Sequence, residues 1–364
     1  MTPGAHSPKA LSLPLSPRRI ALLAGLGALS VALLVALGGG HEVLAALPHV
    51  DWRLVGLAAL IHLGGFGLRG LRWRQLLAMA GHRLRWRYVT TLLLAGWFVS
   101  ALLPARAGDL VRVGVLRLGK PDQPPAPVAA ALGSIVLERV LDLLAILALG
   151  IGFGYVALGA QLPSWVRAAY LAGAGVVALF VVATLVMPAF FHRLERLSNR
   201  PLWQRAVGFA AHLAESLTIL TRHPRMAGMI VGESLLIWLC DALLLWLAVA
   251  AAGPLLSLAA AAFVALTVDV TAAVPLTPGG VGQIEAVNAA LLATFGLAPA
   301  HIAVAVLVTR AVSYWGFLLF AGAITFGAGF GQLLAKPGAV EDGATLSEAH
   351  RDASNVKRQS TLDV

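Results

Sequence analysis

The chain is divided into long apolar runs, near residues 20 to 37, 54 to 68, 88 to 103, 128 to 158, 168 to 191, 226 to 250, 255 to 274 and 300 to 330. A helix needs about 20 apolar residues to cross a bilayer, because lipid offers no partner to an unpaired backbone group. Most of the runs meet that length. Those near 88 to 103 and 255 to 274 instead run into proline and glycine, which break a helix, so they read as half-spans. Composition agrees that lipid is the solvent. The chain is 59% hydrophobic and only 12% charged, against about 25% charged for an ordinary soluble domain.

A net charge of +10 could suit a nucleic-acid partner, but the positions of the basic residues explain it otherwise. Of the 27 Lys and Arg residues, all but four fall in the N-terminal segment, in 69 to 87, in 106 to 120, in 192 to 225 or in the tail. The exceptions are Arg53 and Arg167, which flank other loops, and Arg139 and Arg310, which lie inside apolar runs. Cytoplasmic loops collect such charge. Eight plain spans would put the basic loop after residue 103 outside, whereas a re-entrant hairpin over 88 to 118 returns it to the cytoplasm. The expected fold is therefore an all-α polytopic membrane protein with about six full transmembrane helices and two re-entrant hairpins in an inverted repeat. Both termini are then cytoplasmic. The organisation expected is a cytoplasmic segment over 1–19, a transmembrane domain over 20–333 and a polar, disordered tail over 334–364. The first apolar run follows "SPRR", but about 18 residues exceed the usual signal-peptide core of about 7 to 15, so an uncleaved anchor is expected.

The two broken runs are related. "LLPARAGDLVR" (102 to 112) and "PLTPGGVGQIEA" (275 to 286) both leave an apolar run through proline, with Gly108 four residues after Pro104 and Gly279 four residues after Pro275. Arg139 follows Gly108 by 31 residues, and Arg310 follows Gly279 by 31. Two spans precede the first hairpin and three separate it from the second, so the two enter from opposite sides. Broken helices of an inverted repeat meet near the midplane. Irregular backbone survives at that depth only where protein buries it or it lines a watery cavity, which makes the two loops the candidate site.

Charges inside the membrane point to the same place. "SIVLERVLDLLA" holds Glu138, Arg139 and Asp142, and "VLVTRAVSYW" holds Arg310. Each costs about 2.5–3.5 kcal/mol at a helix centre on insertion scales, so partners or water must compensate. Arg139 and Asp142 can pair at a spacing of three, and Glu138 and Asp142 share a helix face. Either these are structural ion pairs, or the arginines hold an anion. Asp109, Glu233, Asp241, Asp269 and Glu285 are the other intramembrane carboxylates, while His62 and His301 read as packed or interfacial. "RGLRWRQLL…HRLRWRY" is basic with interleaved tryptophans and is expected at the cytoplasmic interface, either drawing anionic lipid or only fixing topology.

Catalytic signatures are weak. "HEVLA" lacks the second histidine of a zinc protease, "GGVGQIEA" lacks the Lys-Ser/Thr of a phosphate loop, and no G-x-S-x-G occurs. Cys240 is alone and can form no internal disulfide. No enzyme activity, cofactor or metal is expected.

"LPARAGDLVRVGVLR…VLERVLDLLA" with "VPLTPGGVGQIEAVNAALLATFGL…VTRAVSYWGFLLF" resembles the transmembrane flippase region of bacterial lysylphosphatidylglycerol synthases, over roughly residues 20 to 330. That family also includes free-standing proteins found with hopanoid and glycolipid pathways. The resemblance implies a lipid translocase with two re-entrant elements around a lipid-accessible cavity. Arg106, Gly108, Asp109 and Arg112 match its first loop, and Glu138, Arg139 and Asp142 the helix after it. Pro278, Gly279, Gly280, Gly282 and Glu285 match its second loop, and Arg310 its last helix. Asp109 stands where many relatives have Glu. The synthases carry a transferase domain after the membrane part, where this sequence has about 30 polar residues, so synthesis of the lipid by this chain is not expected. The expected partners are membrane lipids and, as a further candidate, a lipid-synthesis or glycosyltransferase enzyme.

Three functions fit. A translocase would hold an anionic phospholipid, glycolipid or hopanoid-type lipid at Arg139 or Arg310. A coupled carrier would take a small soluble anion, and a scaffold for a lipid-modifying enzyme would move nothing. The Ala, Leu, Gly and Arg content suits a bacterial inner membrane.

Overall fold

The computed structural model describes residues 17–103, 107–120, 122–159, 164–195, 201–272 and 277–330. Arg106, Pro104, Pro275, most of the N-terminal segment and the whole 334–364 tail lie outside them.

The described residues are helical, apart from turns and an isolated bridge between Lys120 and Gln123. In chain order the helices are α1 (Pro17–Leu37), α2 (His41–Ala46), α3 (Trp52–Met79), α4 (Trp86–Leu102), α5 (Ala107–Leu118), α6 (Val128–Leu158) and α7 (Ser164–Glu195). There follow α8 (Pro201–Leu217), α9 (Ile219–Arg222), α10 (Pro224–Ala251), α11 (Leu258–Ala272), α12 (Gln283–Ala293), α13 (Pro299–Arg310) and α14 (Phe317–Gly327). A π-helical turn, Ala311–Gly316, joins α13 to α14 in one continuous rod. The protein is an all-α polytopic membrane protein.

Four helices are long and apolar enough to cross a membrane: Trp52–Met79, Val128–Leu158, Pro224–Ala251 and Pro299–Gly327. Local chemistry sets their starts. The Asp51 carboxylate accepts from the Arg53 N–H at 2.9 Å and caps α3, and proline occupies the first turn of α10 and of α13, where its missing N–H costs nothing. Of the other two expected spans, one departs from a plain rod. The first bends by 95° between Gly27–Leu37 and His41–His49, because Gly39 and Gly40 take positive φ and end α1. The apolar run near 168 to 191 lies within the single helix α7.

Both expected hairpins are present. Their arms, α4 with α5 and α11 with α12, have 17, 12, 15 and 11 residues, so none exceeds about 26 Å at 1.5 Å per residue, short of the ~30 Å hydrocarbon core. The first closes tightly because both arms present glycine where they meet. A Cβ on Gly108 would lie 1.6 Å from the Gly96 carbonyl oxygen, and one on Gly96 would strike the Arg112 stem at 2.6 Å. The second is tied by the Gln283 amide, which donates to the Thr271 carbonyl at 2.8 Å.

The helices form two matched sets, α3 to α6 and α10 to α14, each made of a span, a hairpin and a closing span. Spans α3 and α10 lie against each other, α4 packs on α14, and α11 packs on α6. Each hairpin therefore leans its first arm on the closing helix of the other set. An apolar cluster surrounds each hairpin, one built on Phe66, Trp73, Leu92 and Phe317 and the other on Leu147, Phe263, Leu291 and Val306. Leu60, Leu171, Leu179 and Leu319 remain exposed on the outside of the bundle, as lipid-facing residues do.

Candidate functional site

Between the hairpins lies a cavity of about 600 Å³. Trp97, Ser100 and Asp109 line it from the first hairpin, Arg139 and Asp142 from α6, Asp269, Gly279 and Gly280 from the second hairpin, and Arg310 and Tyr314 from the last span. Two breaks and two arginines that are far apart in sequence thus share one chamber. The remaining described candidates stand behind the wall: Arg112 and Glu138 back the first loop, while Gly282 and Glu285 open α12 behind the second. Pro278 belongs to the 3-10 turn Pro278–Gly280.

The 31-residue spacing corresponds to a contact. Arg310 Nη2 donates to the Gly279 carbonyl at 3.1 Å, and its Nε donates to Glu285 Oε1 at 2.9 Å. Glu285 Oε2 accepts from the Gly282 N–H at 2.8 Å, so one carboxylate caps α12 and holds the arginine of the last span. Gly279 has φ of +62°, and a Cβ there would lie 2.3 Å from the Tyr314 ring. The turn needs glycine on both counts.

In the first half Arg139 likewise reaches back to its own hairpin, with Nη2 3.3 Å from Asp109 Oδ1. It is also 3.7 Å from Glu138 Oε1 and 3.5 Å from Asp142 Oδ2. Three carboxylates therefore share one guanidinium, and its side chain keeps 27% exposure, against 8% for Arg310. Arg112 is wholly buried. It donates to Glu138 Oε2 at 2.6 Å and to Asp109 Oδ1 at 3.1 Å, with its guanidinium 3.8 Å from the Trp73 ring centre. The expected Arg139–Asp142 pair is present, although each member has further partners.

Two arginines of the cluster were expected elsewhere. Arg69 and Arg72 belong to the basic segment placed at the interface, yet both are buried inside the bundle. Arg69 Nη2 donates to Asp241 Oδ2 at 2.6 Å, among the rings of Phe66, Trp97 and Trp238. Arg72 donates to Asp142 Oδ1 at 2.7 Å and to Ser234 Oγ at 2.8 Å. His62, read as packed or interfacial, meets Asp241 Oδ1 through Nδ1 at 2.7 Å. A signal was available in the sequence. Residues 62, 66, 69 and 73 recur at helical spacing on one face, and Asp142 and Asp241 each needed a cation.

These features define a class: a multi-pass membrane protein of two helical sets with a charged, glycine-turned chamber between broken helices. The chain belongs to the family described as lysylphosphatidylglycerol synthase TM region, whose model matches residues 20–321. It is 26% identical to a protein named glycosyltransferase AglD from Haloferax volcanii, over 94% of this chain and 60% of that protein's length. It is 28% identical to a UPF0104 membrane protein from Methanothermobacter thermautotrophicus, over 79% of this chain and 88% of the relative. No solved structure matches the chain.

Proposed function

We propose that this protein moves a lipid between leaflets by passing its polar head group through the chamber while the acyl chains stay in the surrounding lipid. The observation that carries this reading is the chamber itself, about 600 Å³ at the junction of two hairpins, within the range of about 300–1,000 Å³ that suits a small ligand. Arg139 is the residue assigned to an anionic head-group oxygen, because it faces the chamber and is the more exposed of the two chamber arginines. Arg310 is assigned to anchor the second turn, since its Nη2 and Nε bond Gly279 and Glu285 and its side chain is the more buried of the two. The matched helical sets supply the two bodies that would rock to expose the chamber first to one leaflet and then to the other.

The same reading places the protein in a bacterial inner membrane with cytoplasmic termini and assigns it no catalytic step. The name of the Haloferax volcanii relative supports a glycosyltransferase as the kind of enzyme that would work beside it. The test is reconstitution in liposomes with fluorescent lipids of varied head group, read by a membrane-impermeant quencher. Wild type should move at least one anionic phospholipid or glycolipid. Arg139→Ala should slow it about tenfold or more, since a hydrogen bond to a charged group contributes about 1.5–3 kcal/mol. Movement equal in wild type, variant and empty liposomes would overturn the reading.

A further inference from the structure

Among the described residues around the chamber, five arginines meet six carboxylates, which leaves one carboxylate without a guanidinium. Arg69 meets Asp241, Arg72 meets Asp142, Arg112 meets Glu138, Arg139 meets Asp109 and Arg310 meets Glu285. Asp269 lines the same chamber from α11 and has no hydrogen-bond or ion-pair partner among the described residues. It lies within electrostatic reach of Asp241, Asp142 and Arg69, two of them carboxylates and the third already engaged.

Among the described residues, the helices packed against α11 present no unengaged cation to Asp269. Helix α6 presents Arg139, already shared among three carboxylates, together with Asp142. Helix α10 presents Asp241, held by Arg69 and His62 from α3. Helix α7 presents Tyr170, whose hydroxyl pairs with Thr267, and α12 presents Glu285, held by Arg310 and Gly282. An unpaired ionised carboxylate in a membrane interior is costly, and the least expensive counter-ion is a proton bound to its own oxygen.

We propose that Asp269 is the proton-binding site of the chamber, the group through which a transmembrane proton gradient acts on the carrier. Binding forms one O–H bond on Asp269 from a solvent proton and removes one negative charge from the chamber wall. With Asp269 protonated, the second hairpin presents no charge that competes for Arg139. With Asp269 ionised, the chamber carries an excess negative charge that opposes an anionic head group. Proton and head group therefore load together. The gradient role rests on the translocase reading, whereas the proton site does not.

Infrared spectra of the full chain in an ester-free detergent at neutral pH test the site directly. The spectrum of wild type minus Asp269→Asn should contain the C=O band of a protonated acid, and in wild type alone that band should convert to carboxylate bands as pH rises. Carboxylate bands in the difference spectrum at neutral pH, or an acid band that sodium chloride abolishes at constant pH, would overturn the proposal. A variant that fails to fold leaves the wild-type titration to decide. In liposomes a pH difference should drive wild type to accumulate lipid in one leaflet, and Asp269→Asn should equilibrate lipid without accumulation. Accumulation by the variant equal to that of wild type would also overturn the proposal. If wild type moved no lipid at all, the translocase reading would fail while the infrared result still decided the proton site.

Discussion

Arg112 shows how much of this site is support for the residues that face the chamber. Its guanidinium is wholly buried, joins Asp109 to Glu138 and covers Trp73, so it ties α5 to α6 without lining the chamber. Removing one member of a buried pair leaves its partner uncompensated, at a cost of about 3–5 kcal/mol, whereas replacing both by apolar residues is often close to neutral. Arg112→Met should therefore lower the stability of the detergent-purified protein by about that amount, and Arg112→Met with Glu138→Leu should recover most of it, as read by chemical unfolding. The sequence made Arg112, Arg139 and Arg310 visible through the motifs beside them. Arg69 and Arg72 were hidden because a run of arginines after an apolar stretch has the same form whether it ends a helix at the surface or continues it into the bundle. The shared face of residues 62, 66, 69 and 73 points to the second case, and the positions of Asp142 and Asp241 decide it.

At the scale of elements, the hairpins were legible because proline and glycine interrupt runs that otherwise suit lipid, and the repeat was legible because each break keeps the same distance to its arginine. The bend after α1 was not. "LGGGHE" reads equally well as a loop after a plain span, and the 95° turn depends on which neighbours α2 meets. The insertion sides of the hairpins are open to measurement in a Cys240→Ala background. Gly108 cannot carry the probe, since any Cβ there would strike the Gly96 carbonyl. Leu118 ends α5 with 62% exposure, and Leu255 precedes α11 with 97%. Single cysteines at these two positions should react with a membrane-impermeant thiol reagent from opposite sides of the membrane. Labelling of both from the same side would remove the inverted arrangement.

For the whole molecule, the decisive contacts run between the two helical sets. The Arg69–Asp241 pair, the Arg72–Ser234 bond and the Trp238–Asp142 bond at 3.1 Å all join the first set to the second. A chain divided between α7 and α8 should consequently reassemble when both parts are expressed together, and the parts should co-purify. With Asp241→Leu in the second part, which strands Arg69, co-purification should fall severalfold. None of these cross-connections could be read along the chain, because partners such as Arg69 and Asp241 lie 172 residues apart. The exchange of first arms, α4 onto α14 and α11 onto α6, also bears on permeability. If the two sets rock as proposed, a tilt that draws one hairpin away from its support would press the other home. On the proposed translocase reading a continuous pore would require both to withdraw together, so the same exchange would let a head group through while opposing the leak of ions.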